Sequence, residues 1–168
     1  MKIHHNVRNI VFLSLLLLGS CEKPEEPTIS RDPVLLNNLY SSSIDTLRIE
    51  TKKYFLTSYL HRDFMPMYSI KAKHPLTASV ELIDFDSTEI STDLDISKLY
   101  VIDSNLIWIS TPKAISQINY YYKILKVSID GPEWETGIHV DVVAEILNTK
   151  TKNKSLLIIK HQYIERTE

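Results

Sequence analysis

The residue with the clearest chemistry in this chain is its single cysteine, Cys21. Cysteine is a strongly nucleophilic side chain once its thiol is deprotonated, so a lone thiol is a natural site of covalent modification. An exported domain with one cysteine cannot form an internal disulfide. Cys21 directly follows an apolar run and two small residues, Gly19 and Ser20. Those neighbours indicate which modification to expect.

The segment before Cys21 has the layout of a secretory signal peptide. Residues 1–9 are polar and basic, with Lys2 and Arg8, and residues 10–18 are apolar except for Ser14. At about 1.5 Å per residue this apolar run spans about 14 Å as a helix, roughly half of a ~30 Å hydrocarbon core. The run is too short for a transmembrane helix, and we expect residues 1–20 to be removed on export.

The four residues at the end of this segment, Leu18, Gly19, Ser20 and Cys21, resemble the lipobox of bacterial lipoproteins. The resemblance implies that a diacylglyceryl group is attached to the Cys21 thiol, that the chain is cut before Cys21, and that the new α-amine is acylated, commonly with palmitate. This covalent lipid is the only bound group that we expect, and it would anchor the protein to a membrane. The alternative is an ordinary signal peptide, which would leave Cys21 as a free thiol.

Residues 21–31 are expected to form the lipidated end and a flexible tether. The residues that follow the cysteine are acidic and contain Pro24 and Pro27, a composition that does not fold. Acidic residues at this position resemble the export signal of surface lipoproteins in Bacteroidetes, although Pro24 divides the Glu22-Lys23 and Glu25-Glu26 pairs. The resemblance implies an outer-membrane location, facing the periplasm or the cell surface. The alternative is a plain solvated spacer.

The remaining composition describes one exported domain, residues 32–168. Removal of residues 1–20 leaves 148 of the 168 residues, enough for one hydrophobic core. Because Lys2 and Arg8 are lost with the signal, 17 basic and 21 acidic side chains remain, a net charge of −4. That balance argues against nucleic acid as a partner.

No motif predicts a metal site. The six histidines do not cluster; His139 and His161 could approach each other on a predicted hairpin, near Asp141 or Glu145. Zinc sites normally show two closely spaced ligands. The acidic residues between 84 and 95 lack the glycine and terminal glutamate of an EF-hand loop. We therefore predict solvated surfaces at both places.

Catalytic motifs are equally absent from the sequence. Gly-x-Ser-x-Gly does not occur, and His61-Arg62-Asp63 matches the start of the kinase catalytic loop without the asparagine, glycine-rich loop or length that a kinase needs. Two carboxylates that flank a glycosidic bond would leave no local pattern. We predict a protein without enzymatic activity, and we keep a small envelope hydrolase as the alternative.

Aromatic residues give the strongest indication of partner binding. Tyr120 and Tyr122 belong to a three-tyrosine run, and Trp134 lies between two predicted strands. Such rings can stack on sugars or anchor a protein partner. Trp108, in Leu-Ile-Trp-Ile, is expected to be a core residue. The predicted partner-binding residues are therefore Trp134, Tyr120 and Tyr122.

The elements that would position these residues are mostly strands. Asp32-Pro33 predicts a short helix with an N-cap and a proline at its first position. Alternating apolar residues predict about eight short strands. The clearest inward positions are Ile138, Val140, Val142, Ala144 and Ile146, which alternate with the predicted outward positions His139, Asp141, Val143 and Glu145. We predict an all-β domain, a single antiparallel β-sandwich of the immunoglobulin-like Greek-key type. An open barrel is the second choice.

These observations predict a lipid-anchored exported β-sandwich module that binds a glycan or a protein at the outer membrane or cell surface. A structural accessory subunit of an envelope complex is a further alternative.

Overall fold

The computed structural model describes residues 27–65, 73–115 and 121–168. Within these ranges the chain forms eleven strands and one helix. Their bounds are β1 Thr28–Ser30, α1 Pro33–Ser42, β2 Ser43–Ile44, β3 Leu47–Ile49, β4 Lys52–Asp63, β5 Leu76–Asp84, β6 Leu94–Asp103, β7 Leu106–Ser110, β8 Lys113–Ala114, β9 Lys123–Ser128, β10 His139–Asn148 and β11 Lys154–Thr167. No helix in the described part of the chain has the length and apolarity needed to cross a bilayer.

The strands form one curled sheet, so the predicted immunoglobulin-like β-sandwich is wrong. The order is β1-β7-β6-β10-β11-β4-β5-β9-β8, with β2 on β11 and β3 on β4, and the sheet bends into a half-barrel. The sheet is also mixed rather than antiparallel, because β11 pairs in parallel with both β2 and β4. Alternation in a strand reports which face is buried, and a sandwich and a curled sheet both bury one face.

The inner face of the half-barrel holds the main core. In β5 the inward residues alternate without interruption, from Leu76 through Val80 to Leu82. Four of the predicted inward positions of β10 (Val140, Val142, Ala144 and Ile146) are buried, and Ile138 packs partly buried against them. Trp108 is 2% exposed and belongs to the same core, as predicted. Local alternation therefore identified the inner face correctly.

Helix α1 covers part of the outer face and makes a second, smaller core. Asp32 caps the helix by accepting a hydrogen bond from the Val34 N–H at 2.8 Å, and Pro33 occupies the first turn, as predicted. The helix is ten residues long. Leu39 packs with Tyr100 and Val143, so the middle of β10 is buried on both faces. Glu145, also predicted to point outward, lies buried beside the helix and is paired with Lys154 at 3.0 Å.

The two ends of the sheet approach each other along a seam between β6–β7 and β9–β8. Lys126 of β9 bridges this seam, with its Nζ 2.6 Å from Asp95 Oδ1 and 2.9 Å from the Ile96 carbonyl oxygen. Two clefts open along the seam, of about 450 and 380 Å³. Strand β1 pairs with β7 at this seam, so residues 28–30 of the predicted tether belong to the sheet.

Candidate functional site

The structure does not bring together Trp134 and Tyr122, the two predicted binding aromatics that lie among the described residues. Tyr120 lies outside the described residues, as do Leu18, Gly19, Ser20 and Cys21. The Trp134 carbonyl oxygen accepts a hydrogen bond from Arg62, which pairs with the first residue of β5. The Tyr122 carbonyl oxygen accepts one from Asp84, the last residue of β5. These two ends of β5 are eight residue steps of about 3.3 Å apart, a distance of roughly 26 Å.

Neither residue forms an exposed platform by itself. Trp134 is half-buried, and its ring packs against the main core. Tyr122 is also half-buried; its ring meets Tyr121 edge-to-face at 5.3 Å, and the Lys123 Nζ lies 5.9 Å from its centre. These contacts fix both rings in place.

A different group of rings lies together on the outer face of the sheet. We name it the aromatic row: His139 of β10, Tyr163 and Glu165 of β11, and Tyr59 and His61 of β4. His139 pairs directly with Tyr163, and Glu165 pairs directly with His61 across the parallel β11–β4 ladder. The strands alternate, so all five side chains lie opposite the buried Leu60 and Ile164. The row crosses three adjacent strands.

The rings of the aromatic row are held in fixed positions. Tyr59 and His61 stack with centroids 5.0 Å apart and planes inclined by 27°, whereas Tyr163 and His139 meet at 5.4 Å and 64°. The Tyr59 hydroxyl donates a hydrogen bond to Glu165 Oε2 at 3.2 Å. Desolvation and this carboxylate together raise the pKa of Tyr59, so the hydroxyl remains a donor. A ligand would meet rings that are already ordered.

The aromatic row is open to solvent. Tyr59 is 43% and Tyr163 50% exposed. Helix α1 packs on another part of the outer face, at Tyr100 and Val143. The helix is fastened there by the Tyr40 hydroxyl, which donates to Asp141 Oδ2 at 2.9 Å. Burial and this hydrogen bond raise the pKa of Tyr40 to about 12. Asp141 therefore marks the boundary between the part of the outer face that helix α1 covers and the open aromatic row, because it lies between Val143 and His139 on β10.

The histidines near this boundary do not form a metal centre. Asp141 Oδ1 accepts the backbone N–H of His161 at 2.9 Å, and its other oxygen accepts from Tyr40. Among residues 27–65, 73–115 and 121–168, no three His, Cys, Asp or Glu side chains are placed to hold a metal ion. The Asp141 carboxylate instead fastens the helix and the bulge at His161.

The acidic stretch that begins at Asp84 has a structural role at its first residue. Asp84 is fully buried; its carboxylate accepts from Thr88 Oγ1 at 2.8 Å and from the Asp86 N–H at 3.0 Å, and Lys52 Nζ lies 3.3 Å away. Burial raises the pKa of Asp84, but these hydrogen bonds and the Lys52 charge outweigh it, so the pKa lies below its usual value. The carboxylate thus ties the loop after β5 to the start of β4.

This lowered pKa predicts a pH-dependent stability that an Asp84→Asn variant would lose. Ionised Asp84 stabilises the fold at pH values above the ordinary aspartate pKa of 3.8, and the stabilisation disappears as pH falls through the lower folded pKa. We expect Asp84→Asn to lower the free energy of unfolding at pH 7 by about 2–3 kcal/mol, because it removes the charge of a buried carboxylate that accepts two hydrogen bonds and faces the partly exposed Lys52 ammonium. Urea titrations at pH 7 and pH 2 should show this deficit shrinking at pH 2. A deficit that is equal at both pH values would contradict the assignment.

Only separate pieces of the aromatic row are visible in the sequence. Tyr59 and His61 are two residues apart in β4, and Tyr163 and Glu165 are two residues apart in β11, so each pair shares a face. The sequence gives no signal that β4 and β11, about a hundred residues apart, pair in parallel. That pairing joins the two halves of the row.

Comparisons with protein-family models, curated proteins and solved structures found no match to this chain. No functional residues are therefore transferred to it from a relative. What the aromatic row can do follows from its own geometry: planar faces for stacking, a carboxylate and imidazoles for hydrogen bonds, and an open surface on three strands.

Proposed function

We propose that this protein is a lipid-anchored, non-catalytic module of the cell envelope that binds a glycan through the aromatic row. The observation that supports the proposal most directly is the ordered set of exposed rings on one sheet face. The proposed anchor is the acylated Cys21, and the proposed location is the outer membrane or cell surface.

The chemistry of the aromatic row suits a sugar chain. The apolar C–H face of a pyranose packs against a tyrosine ring, while its hydroxyls need donors and acceptors at the ring edges. Tyr59 offers the ring face, and the Glu165 carboxylate that is hydrogen-bonded to its hydroxyl offers a second oxygen as an acceptor at the ring edge. A protein interface normally has an apolar centre with a polar rim. Here every side chain of the row carries a polar group, which favours a glycan over a protein.

The same geometry favours binding over hydrolysis. Glycoside hydrolysis uses two carboxylates, about 5–10 Å apart, that flank the scissile bond. Glu165 is the one carboxylate of the aromatic row, and its Oε2 is engaged by Tyr59. Paired carboxylates on a ligand-bearing face would favour the hydrolase alternative, and the row supplies a single one.

Removal of the two most exposed rings of the aromatic row tests this function. We expect Tyr59→Ala and Tyr163→Ala each to weaken glycan binding by about tenfold, since one ring contact is worth about 1–1.5 kcal/mol. Affinity electrophoresis against starch, xylan, mannan and chondroitin sulfate measures the change. Phe85→Ala is the matched control, because Phe85 is exposed and makes its own ring contact with Phe55.

Two outcomes would count against the proposal. Undiminished binding in both tyrosine variants would remove the aromatic row from the site. If no polysaccharide retards the protein while crosslinking captures a stoichiometric protein partner, the glycan is excluded, and the accessory-subunit alternative is supported.

A further inference from the structure

We infer that the seam side of the half-barrel lies against the bilayer that holds Cys21, so that the aromatic row faces away from the membrane. This inference rests on the proposed lipid anchor. It adds an interaction surface, which we name the seam face: Ile29, Lys98, Lys113, Ile115, Tyr121 and Ile129. The proposed occupant is the surface of the lipid bilayer.

The chain enters the domain at the seam. Thr28 pairs with Ile109 at the sheet edge, and Pro27 lines the larger seam cleft together with Lys113 and Ile129. The chain that leads back to Cys21 therefore leaves the domain at the seam. Strand β1 fastens this exit to β7 through three register pairs.

The connection between Cys21 and the domain is short. Thr28 lies seven residues after Cys21, and a chain of that length spans at most about 25 Å when fully extended. A compact domain of the size of residues 27–168 is about 37 Å across. Half of its circumference is then about 60 Å, so the connection cannot reach around to the opposite wall. The seam side must remain close to the membrane.

The seam face combines exposed apolar side chains with lysines. Ile129 is 63% exposed and Ile115 43%, and Tyr121 and Ile29 are exposed as well. Lys98 and Lys113 are exposed beside them; the exposed acidic residues of the two clefts are Asp130 in the larger and Glu89 in the smaller. Isolated aliphatic side chains, a tyrosine and lysines with apolar stems are the residue types that suit the boundary between headgroups and acyl chains.

The strand order places the aromatic row on the opposite wall. The sheet runs from β1 and β7 at one end to β9 and β8 at the other, and these ends meet at the seam. Strand β11 is fifth of the nine strands in that order, between β10 and β4, and these three carry the row. In a curled sheet the middle strand lies farthest from the seam. Anchoring at the seam would thus present the row to the surroundings.

Single labels on the full-length acylated protein test this orientation. Acylation consumes the Cys21 thiol, so an added cysteine is the one reactive thiol of the mature chain. Ile129→Cys and Ile115→Cys place a fluorescent label on the seam face, and Tyr163→Cys places the same label on the row at similar exposure. The variants are reconstituted in phosphatidylethanolamine–phosphatidylglycerol vesicles that contain a headgroup-level spin-labelled lipid as quencher.

We expect quenching at positions 129 and 115 to exceed that at position 163 by at least about threefold, since an interfacial side chain lies within ~5–10 Å of the headgroups. Equal quenching at all three positions, or stronger quenching at position 163, would overturn the inference while leaving the anchor intact. If the label at position 129 is shielded from solvent even in detergent, without a bilayer, the seam face is covered by a second copy or by another protein. That result would also overturn the inference. If the parent protein accepts the label at Cys21 and does not float with vesicles, the anchor itself fails, and the inference fails with it.

Discussion

A Cys21→Ala variant is expected to leave the membrane fraction almost completely and to incorporate no acyl chain. The physical reason is that two or three acyl chains, each stabilised by ~0.8 kcal/mol per buried CH₂, hold a protein to a bilayer far more firmly than a few surface side chains do. Without them, the exposed residues of the seam face would give at most weak and reversible contact. The measurements are metabolic labelling with palmitate and partition between membrane and soluble fractions.

The control for this variant lies one residue earlier. Ser20→Ala keeps a small residue before the cysteine, so the resemblance to the lipobox predicts normal acylation and membrane retention. Palmitate incorporation in Cys21→Ala, or equal release of both variants, would refute the anchor. The released Cys21→Ala domain should still bind glycan, because the aromatic row lies on the far wall of the sheet.

A Gly131→Ala variant is expected to lower the free energy of unfolding by about 2–3 kcal/mol, the usual range for overpacking a core. A Cβ at this position would lie 2.7 Å from Cη2 of the Trp108 ring and 2.7 Å from the Leu76 carbonyl oxygen. Both neighbours are buried and cannot move aside. The loop must shift instead, and the 3.0 Å hydrogen bond from Gly131 N to that carbonyl weakens. Urea denaturation measures the loss.

Gly137→Ala provides the comparison for this variant. At Gly137 the nearest neighbour of a Cβ would be the Tyr163 hydroxyl at 3.6 Å, an ordinary contact, but the backbone has φ of +88°. Alanine there incurs conformational strain of about 1 kcal/mol without a clash. The destabilisation should therefore be smaller than at Gly131. A larger loss of unfolding free energy at Gly137 than at Gly131 would show that the close approach of Gly131 to the Trp108 ring is not the main constraint on these two glycines.

Prediction from the sequence succeeded for features that depend on residues close to one another in the chain. The N-cap at Asp32, the proline at the first turn of α1 and the inward residues of β10 follow from local rules, and the structure confirms them. The outward assignments in β10 were less successful. Glu145 is buried because helix α1, about a hundred residues earlier in the chain, covers that part of the outer face.

The candidate site shows the same limit. The prediction chose Trp134, Tyr120 and Tyr122 because they stand out in the sequence. Trp134 instead packs against the core, and its carbonyl oxygen is bonded by Arg62. The aromatic row consists of ordinary-looking residues, such as Tyr59 and Tyr163, which only the pairing of β11 with β4 brings together. A search of the sequence for tyrosine and histidine at two-residue spacing would have found Tyr59 with His61, but also Tyr163 with His161, which is not part of the row.

By itself, the sequence determined the predicted export and lipidation signal, the faces of the strands and the start of the helix, because each of these depends on residues within a few positions of one another. Only the tertiary structure decided that β11 joins β10 to β4, that the sheet curls instead of splitting into two layers, and that the tether enters at the seam. The reason is that a strand's alternation encodes which of its faces is buried, whereas the choice of its neighbours depends on long-range packing and closure of the whole sheet.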